Sequence, residues 1–475
     1  MDSFRRLLDS TVRCLCRFEN LGADRPVLAA VSGGVDSTVL LLALARLRDE
    51  GRLPGALRAV HVDHAVRADS RANAEHVVEL CDRLDVPVTV RRLPEREGRA
   101  SEDTLRQARY DVLLEVARGA DAGLLLTGHH ADDNLETVLF RMLRGTGPRG
   151  LAGIPEARWL GKGDGRVLLV RPFLRCRRST LERVLRDLGE TAFEDSTNLD
   201  VGYARNELRL ETIPELRRTL GLGLDVALMT VASAARAANE IVEAQGRRIL
   251  SQRARTKASW RCELDLRGLE ADDAPFVRDA LRLAHESLHA AGAAPNTAWL
   301  DRAMGLLRAD DGTRLAGRGG LLAERTRDGL LLVDPARAGA PPASAVGFTW
   351  DAGPQRFGAT EWSLEAFEHP LPPLSPSPRE AGRFRALLDP RAAPLPWRLR
   401  ARRAGDRFHP LGATYETELR RFLQGRHVPR FDRDRLPLLV DGDDRVLWIP
   451  GVEISDAVRL QLNTRRCVEV VAHCG

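Results

Sequence analysis

The sequence has no apolar run long enough to cross a membrane. The longest such run is the seven residues from Val39 to Ala45, against about 20 for a membrane helix. Charged residues near the N-terminus, among them Asp9, Arg13 and Arg17, stand where an export signal would be apolar. We therefore expect a soluble, cytoplasmic protein with no membrane partner.

Cysteine and lysine are both scarce. The seven cysteines are scattered and form no C-x-x-C pair, which makes a disulfide framework, a zinc ribbon and an iron–sulfur cluster all improbable. Lys162 and Lys257 are the only lysines among 72 basic residues. Neither follows the spacing G-x-x-x-x-G-K-[ST], so a P-loop nucleotide site is excluded.

The N-terminal part of the chain alternates short apolar runs with amphipathic stretches of helix length. This pattern is typical of βαβ units, and it predicts a doubly wound α/β domain with a mainly parallel sheet. In such a domain the ligand binds at the carboxyl ends of the strands. The predicted strands are 27–31, 57–62, 88–93 and 124–127, and the predicted helices are 37–49, 69–84, 101–118 and 132–143.

The length of 475 residues suggests about three domains at about 150 residues each. After Pro214 the sequence becomes alanine-rich and helical, and 12 of the 26 prolines lie between Pro335 and Pro396. We therefore predict a catalytic domain (1–218), a helical middle domain (219–335), a proline-rich linker (336–382) and a small α+β C-terminal domain (383–475).

Positive charge is concentrated near the C-terminus. The whole chain carries a net charge of +5, yet the stretch from Arg398 to Arg435 alone holds 11 arginines against five acids. Such a cluster indicates a surface that binds a polyanion. An arginine-rich solvated surface is the alternative.

A glycine-rich loop joins the first predicted strand to the first predicted helix. Its sequence is Ser32-Gly33-Gly34-Val35-Asp36-Ser37. Glycines let the backbone approach an anion, and hydroxyls, amide N–H groups and the helix N-terminus direct positive dipoles at it. We interpret the loop as a phosphate cradle, with an ordinary strand-to-helix turn as the alternative.

A cluster of histidines and acids follows the fourth predicted strand. It reads Gly128-His129-His130-Ala131-Asp132-Asp133-Asn134-Leu135-Glu136-Thr137 and opens on the same sheet edge as the glycine-rich loop. Imidazoles and carboxylates there can hold Mg²⁺ on ATP or move a proton. On its own, the cluster is equally compatible with an acidic helix N-terminus.

The glycine-rich loop resembles the pyrophosphate loop of the ATP pyrophosphatases, the PP-loop family with an adenine nucleotide alpha hydrolase-like fold. Members cleave ATP between the α- and β-phosphates and adenylate an acceptor oxygen. The family includes amide-forming synthetases, tRNA thiolases and the tRNA(Ile)-lysidine synthetases. The segment from Gly128 to Thr137 resembles the RNA-modifying members.

Further segments resemble the lysidine synthetases in particular, over essentially the whole chain. They are His61-Val62-Asp63-His64, Arg106-Gln107-Ala108-Arg109-Tyr110, Glu194 to Asn198, Tyr203 to Arg209, Arg403 to Phe408, Leu419 to Leu423 and Trp448 to Gly451. The resemblance implies that ATP adenylates C2 of the wobble cytidine of an isoleucine tRNA with a CAU anticodon. Free L-lysine then replaces the adenylate. It also makes a homodimer plausible.

The resemblance assigns roles residue by residue. ATP binding falls to Ser32, Gly33, Gly34, Val35, Asp36, Ser37 and His61. Catalysis falls to Asp36, Arg109, His129, Asp133 and Arg205, and Mg²⁺ binding to Asp36 and Asp133. Binding of tRNA falls to Arg205, Asn206, Arg209, Arg407, Arg420 and Arg421.

The chain departs from the family pattern at four positions where members usually carry lysine: Thr414, Glu416, Arg420 and Arg421. The acid at Glu416 puts one phosphate contact in doubt, whereas arginine keeps the charge. Two other functions stay open at this point. A tRNA thiolase would need a sulfur-carrying cysteine, and a non-catalytic RNA-binding protein would not need an intact pyrophosphate loop.

Overall fold

The computed structural model describes residues 2–18, 25–63, 70–93, 102–161, 165–193, 207–221, 223–288, 295–370, 379–380 and 383–474. The chain divides into two compact units, Met1–Ile241 and Val242–Gly475. The finer domain boundaries at residues 218, 335 and 382 stay predictions.

The first unit is built on a six-stranded sheet of order β3-β2-β1-β4-β6-β5. All neighbouring strands are parallel except β5 and β6, which are antiparallel. The mainly parallel sheet predicted from the sequence is therefore confirmed. The strands are β1 (Val27–Ala30), β2 (Leu57–Asp63), β3 (Val88–Arg92), β4 (Leu124–Leu126), β5 (Ala157–Leu160) and β6 (Val167–Val170).

Helices cover both faces of this sheet. Along β1, Val27 and Ala29 pack into one core while Leu28 packs into a second core that contains Tyr110 and Leu113, as expected for a doubly wound domain. The helices are α1 (Asp2–Leu15), α2 (Val35–Asp49), α3 (Ser70–Arg83), α4 (Glu102–Gly119), α5 (Ala131–Leu143), α6 (Pro148–Leu151), α7 (Arg178–Asp187), α8 (Ile213–Leu220) and α9 (Gly223–Arg253).

The apolar run noted in the sequence belongs to α2. Every residue from Val39 to Ala45 is buried, because α2 lies in the core between α1, α7 and the sheet. Among the described residues no single helix is long and apolar enough to cross a membrane. The segments Leu208–Leu220 and Gly223–Arg253, bent by 107°, meet the length and composition requirement only as a pair.

The second unit begins with a five-stranded antiparallel sheet of order β7-β8-β11-β10-β9. Two helices, α10 (Ala274–Leu288) and α11 (Thr297–Gly305), pack on it through a core that includes Leu281, Trp299 and Leu330. The strands are β7 (Ala254–Ala258), β8 (Arg261–Asp265), β9 (Arg314–Ala316), β10 (Leu322–Thr326) and β11 (Gly329–Val333).

Two more five-stranded sheets complete the second unit, in the orders β12-β17-β20-β21-β22 and β13-β14-β23-β16-β15. A two-stranded ribbon, β18 and β19, and two short helices, α12 (Leu419–Gly425) and α13 (Arg430–Arg433), accompany them. The strands are β12 (Val346–Gly347), β13 (Gln355–Arg356), β14 (Trp362–His369), β15 (Arg379–Glu380), β16 (Arg383–Leu388), β17 (Arg398–Arg400), β18 (Arg407–Phe408), β19 (Thr417–Glu418), β20 (Leu438–Val440), β21 (Val446–Ile449), β22 (Glu453–Ile454) and β23 (Cys467–Cys474).

Part of the stretch predicted as a linker is sheet rather than connector. Strand β14 pairs along its full length with β23, from Trp362 opposite Cys474 to His369 opposite Cys467. Trp362, Leu364 and Ala366 alternate toward the core, a strand signal that the surrounding prolines obscured. Most of the extended connector predicted from Pro370 to Pro378 lies outside the described residues.

Candidate active site

Two loops meet where the strand order of the first sheet reverses. One follows β1 and contains the glycine-rich loop Ser32 to Ser37, and the other follows β4 and contains Thr127 to His130. Because β1 and β4 are adjacent and parallel, both loops open at the same edge. This is the topological switch point at which doubly wound domains bind their ligands.

Serine hydroxyls hold the glycine-rich loop in shape from within. The Ser37 hydroxyl accepts a hydrogen bond from the Ser32 amide at 3.1 Å and donates to the Gly34 carbonyl at 3.0 Å. Gly33 has a φ of +88°, and a Cβ there would lie 2.0 Å from Oδ1 of Asn73. Only glycine fits this turn without strain, because side chains disfavour that backbone conformation.

The loop leads directly into the N-terminus of α2. Gly34 is the N-cap residue and, within the described chain, no side chain caps the helix there. The first amide N–H groups of α2 are therefore available, together with the positive end of the helix dipole. This arrangement suits a phosphate group.

Gly128 lets the two loops touch. A Cβ at this position would lie 2.7 Å from the Asp36 carbonyl oxygen and 2.8 Å from the Asp36 carbonyl carbon. Both atoms belong to the backbone and cannot rotate away. The absence of a side chain at Gly128 therefore sets the spacing between the glycine-rich loop and the second loop.

We expect Gly128→Ala to raise the KM for ATP at least tenfold and to lower the free energy of unfolding by about 1–3 kcal/mol, because the added methyl group must push the loops apart. Steady-state kinetics and thermal unfolding measure the two effects. Gly119→Ala is the matched control, since a Cβ at Gly119 meets no atom within 4 Å. An unchanged KM in Gly128→Ala would contradict the close packing of the loops.

His130 links the two loops electrostatically. It is fully buried, and its Nε2 lies 3.6 Å from Oδ2 of Asp36 and 3.6 Å from Oδ2 of Asp133. Burial acts to lower the pKa of His130, but the carboxylates of Asp36, Asp133 and Asp132 outweigh it and raise that pKa. The imidazole thus lies between the carboxylates of Asp36 and Asp133, with Nε2 facing both.

His130 also begins α5. Its Nδ1 accepts a hydrogen bond from the Asp133 amide at 3.3 Å, and Oδ2 of Asp133 accepts from the His130 amide at 3.0 Å. This reciprocal capping box satisfies helix donors that would otherwise lack partners. The sequence analysis did not select His130 as a site residue.

His129 of the second loop and Asp132 of α5 differ in their surroundings. Nδ1 of His129 lies 2.9 Å from the hydroxyl of Thr127, and burial lowers the pKa of His129 far below its usual value. Asp132 is held in ion pairs instead, with Arg217 at 2.9 Å and Arg177 at 3.3 Å. His129 is therefore neutral near pH 7, and Asp132 ties α5 to neighbouring helices.

A cavity of about 200 Å³ lies between the loops and the end of the sheet. It brings together six of the residues predicted from the sequence, from three separate segments of the chain: Ser32, Asp36, Ser37, Arg109, His129 and Asp133. Tyr110 and Thr127, which the sequence analysis did not select, also line it.

Arginines give one wall of the cavity a positive field. Tyr110 is buried, and the hydroxyl lies 3.5 Å from a guanidinium nitrogen of Arg171. Burial would raise the pKa of Tyr110, but the charges of Arg171, Arg106 and Arg109 lower it to about 8. The wall carrying Arg109 therefore stabilises negative charge.

The remaining predicted residues lie elsewhere. His61 is buried behind the end of β1, where Nδ1 lies 2.9 Å from the Val31 carbonyl oxygen. Arg209 pairs with Glu136 of α5 at 3.3 Å, and Arg407 pairs with Glu416 at 3.1 Å. Arg420 and Arg421 lie on α12 in the second unit. Arg205 and Asn206 lie outside the described residues.

Comparison with known proteins agrees with this geometry. A PP-loop domain matches residues 9–216, and a TilS substrate C-terminal domain matches residues 397–470. The first unit is thus a PP-loop domain, the fold of ATP-binding pyrophosphatases.

Matches over nearly the whole chain are more specific. The tRNA(Ile)-lysidine synthase of Symbiobacterium thermophilum is 31% identical and covers 98% of this chain and 97% of its own length. The tRNA(Ile)-lysidine synthase of Pseudomonas aeruginosa is 34% identical, and the match covers 89% of this chain and 90% of that protein. The chain belongs to the tRNA(Ile)-lysidine synthase family and is an enzyme of the ligase type.

Among solved structures, a U34-tRNA thiolase from Methanococcus maripaludis aligns with 50% of this chain and 80% of its own. The TM-score is 0.42 at 14% identity. This likeness is too weak to favour the thiolase alternative.

Proposed function

We propose that the cavity between β1 and β4 is where the protein makes lysidine in tRNA(Ile) with a CAU anticodon. The proposal rests on membership of the lysidine synthase family and on one observation: the glycine-rich loop and the histidine and acid cluster share a single cavity. The substrates would be ATP, L-lysine and the tRNA, all of which occur in the cytoplasm.

The glycine-rich loop would hold the pyrophosphate part of ATP. Ser32 and Ser37 offer hydroxyls, Gly33 allows the tight turn, Gly34 leaves space for a phosphate oxygen, and the backbone from Val35 onward offers amide donors at the start of α2. His61 would act indirectly, because its bond to the Val31 carbonyl supports the strand end that precedes the loop.

Mg²⁺ fits Asp36 and Asp133. Oδ1 of Asp36 is buried without a hydrogen-bond partner, and both carboxylates lie within 3.6 Å of the same imidazole nitrogen. Mg²⁺ commonly takes one or two protein carboxylates together with substrate phosphates, and when bound it would neutralise phosphate charge. Among the described residues no cluster of three or more metal-ligating side chains exists, in keeping with such a shared site.

The first chemical step would be adenylation of the cytidine. The C2 oxygen attacks the α-phosphorus of ATP, a bond to that phosphorus forms, and pyrophosphate leaves. Arg109 lies on the positive wall of the cavity, where a guanidinium stabilises charge that develops on the phosphate. Arg205 would share this role from the cytidine side.

The second step would replace the adenylate by lysine. The ε-amine attacks C2 and AMP leaves with the C2 oxygen. Because the ammonium has a pKa of about 10.4, deprotonation near pH 7 costs about 4–5 kcal/mol. Asp36, Asp133 and His129 are the groups of the cavity that we assign to share this proton through hydrogen bonds. His129 is neutral there, so it can accept a hydrogen bond from the amine.

The arginines outside the cavity would bind the tRNA body. Arg421 is 82% exposed and pairs only loosely with Glu418, at 3.5 Å, so its charge is available to a phosphate. We assign Arg420, Asn206 and Arg209 to the same function, although Arg209 already shares its charge with Glu136. Arg407 is already paired with Glu416, and we expect it to contribute less than Arg421.

Pyrophosphate release in the presence of ATP, lysine and tRNA tests the proposal. Release that requires all three reactants, together with lysine incorporation into the tRNA, is the expected result. A thiolase would release pyrophosphate without lysine, and a non-catalytic RNA-binding protein would release none. Either outcome would overturn the proposed function.

For Arg205→Ala we expect kcat/KM to fall at least a hundredfold, about 2.7 kcal/mol, with the tRNA Kd changed less than about tenfold. The reason is that Arg205 is assigned to the reacting base, whereas the tRNA backbone is bound by many residues. Single-turnover kinetics and filter binding measure the two quantities. Equal losses in both would identify Arg205 as a backbone contact.

A further inference from the structure

A second cavity, of about 470 Å³, lies in the second unit. Four arginines line it: Arg402 follows β17, Arg420 lies on α12, and Arg430 and Arg433 lie at the two ends of α13. We call this cavity the arginine cleft. Gly312 and Gly405, both with positive φ, contribute backbone without a side chain to its lining.

The three acids that line the arginine cleft already have partners. Asp434 pairs with Arg402 at 2.5 Å, Glu418 lies 3.5 Å from Arg421, and Asp311 lies 3.4 Å from Nδ1 of His427. Each of these three carboxylates therefore already interacts with another side chain of the protein.

The other three arginines of the cleft lack such partners. Within the described chain Arg420, Arg430 and Arg433 form no ion pair with a carboxylate, and the Nε of Arg433 donates instead to the Val428 carbonyl at 2.9 Å. By contrast, Arg400 in the same unit pairs with both Asp406 and Asp444 at 2.9 Å. Arg420 and Arg430 are exposed and Arg433 is half-buried, so these three guanidiniums offer positive charge and N–H donors to an anion that enters the cavity.

Electrostatics in the cleft point the same way. Burial lowers the pKa of Arg433, and the nearby charges of Arg402 and Arg430 add to that effect against the opposing carboxylate of Glu324. Glu324 does not line the cleft: it is fully buried and accepts hydrogen bonds from the amides of Arg430 and Phe431 and from the Arg314 side chain. Arg402, Arg430 and Arg433 thus lie close enough to repel one another, and Glu324 offsets this only in part.

We propose that the arginine cleft binds a phosphomonoester dianion, either the 5′-terminal phosphate of an RNA or a free phosphate monoester. A terminal phosphate carries up to two negative charges and three oxygens that guanidiniums bind in pairs. A backbone phosphodiester carries one charge and lies within a continuous chain, which suits an open surface better than a cavity. If the phosphate belongs to an RNA, the inference rests on the proposed function. If it belongs to a free phosphate monoester, the inference is independent of that function.

The RNA source is tested with tRNA(Ile) transcripts that carry either a 5′-monophosphate or a 5′-hydroxyl. We expect the full-length protein to bind the phosphorylated transcript about tenfold more tightly, equivalent to about 1.4 kcal/mol. In Arg430→Gln and Arg433→Gln the ratio of the two Kd values should fall toward one. Arg466→Gln is the matched control, because Arg466 is exposed and pairs with Glu368 away from the cleft. It should keep the ratio.

The free-phosphate source is tested by calorimetry with inorganic phosphate and with AMP. Binding that Arg430→Gln abolishes, with no preference between the two transcripts, assigns the cleft to a free monoester. The proposal is overturned if neither ligand shows binding that depends on Arg430, or if the transcript ratio survives in the variants. Arg430 is exposed, so Arg430→Gln decides the matter even if Arg433→Gln fails to fold. Pyrophosphate release by the unsubstituted protein tests the proposed function separately.

Discussion

Asp36→Asn is expected to reduce pyrophosphate release at least a thousandfold, about 4 kcal/mol, while the tRNA Kd changes less than about threefold. Asparagine keeps the size of the side chain but removes its charge. It therefore loses the interaction with His130 at 3.6 Å and the carboxylate that we assign to Mg²⁺. Quantifying released pyrophosphate at saturating ATP, and tRNA binding by filter retention, measures both effects.

Asp49→Asn provides the matched control for that experiment. Asp49 lies at the other end of the same helix and is about half exposed, and it pairs with its neighbour Arg48 at 2.8 Å. Because exposed ion pairs contribute little to stability, we expect the activity of Asp49→Asn to stay within about twofold of that of the unsubstituted protein. Retained turnover in Asp36→Asn would remove the glycine-rich loop from the mechanism.

His130→Asn is expected to lower kcat by about a thousandfold, about 4 kcal/mol, because the imidazole that faces both carboxylates holds them in position. The imidazole lies between Asp36 and Asp133, and its removal leaves two carboxylates close together without the ring that separates them. Asparagine is itself a good N-cap residue, so α5 should still begin at the same place. Stopped-flow measurement of adenylation and thermal unfolding distinguish the catalytic loss from a loss of stability.

Comparison with His130→Ala separates the two roles of this residue. Alanine removes both the cap and the imidazole. The free energy of unfolding of His130→Ala should therefore be about 1 kcal/mol lower than that of His130→Asn, and the two variants should have a similar kcat. If His130→Asn kept full activity, the imidazole would serve only as a helix cap.

The sequence predicted the first unit well because its signals are local. Short apolar strands alternate with amphipathic helices, and each predicted strand and helix between residues 26 and 188 appears within a few residues of its expected bounds. Strand β14 was missed for the opposite reason. Its long partner β23 lies far along the chain, and its alternating pattern stands beside a proline-rich segment.

The candidate site was predictable in its components but not in its contacts. The residues of both loops could be read directly, since each follows an apolar strand. Which of two adjacent histidines faces Asp36 depends on where α5 begins. The structure gives His130 that position and makes His129 a neutral neighbour.

Ion pairs between distant positions were equally hidden from the sequence. Asp132 and Asp133 look equivalent in the sequence, yet only the structure shows that Arg217, 85 residues away, donates a hydrogen bond to Asp132. The departure noted at Glu416 has a similar local cause, because its carboxylate is matched to Arg407. Pairings of this kind follow from packing rather than from spacing.

The position of β23 has a consequence for biosynthesis. Residues 467–474 form the middle of a sheet whose other long strands, β14 and β16, are translated earlier. Until residues 467–474 have left the ribosome, each of those two strands has an unpaired edge, and such an edge invites pairing with other chains. Assistance by a chaperone should therefore matter most for the nascent chain in this interval, and slowing translation beyond residue 388 should increase its aggregation.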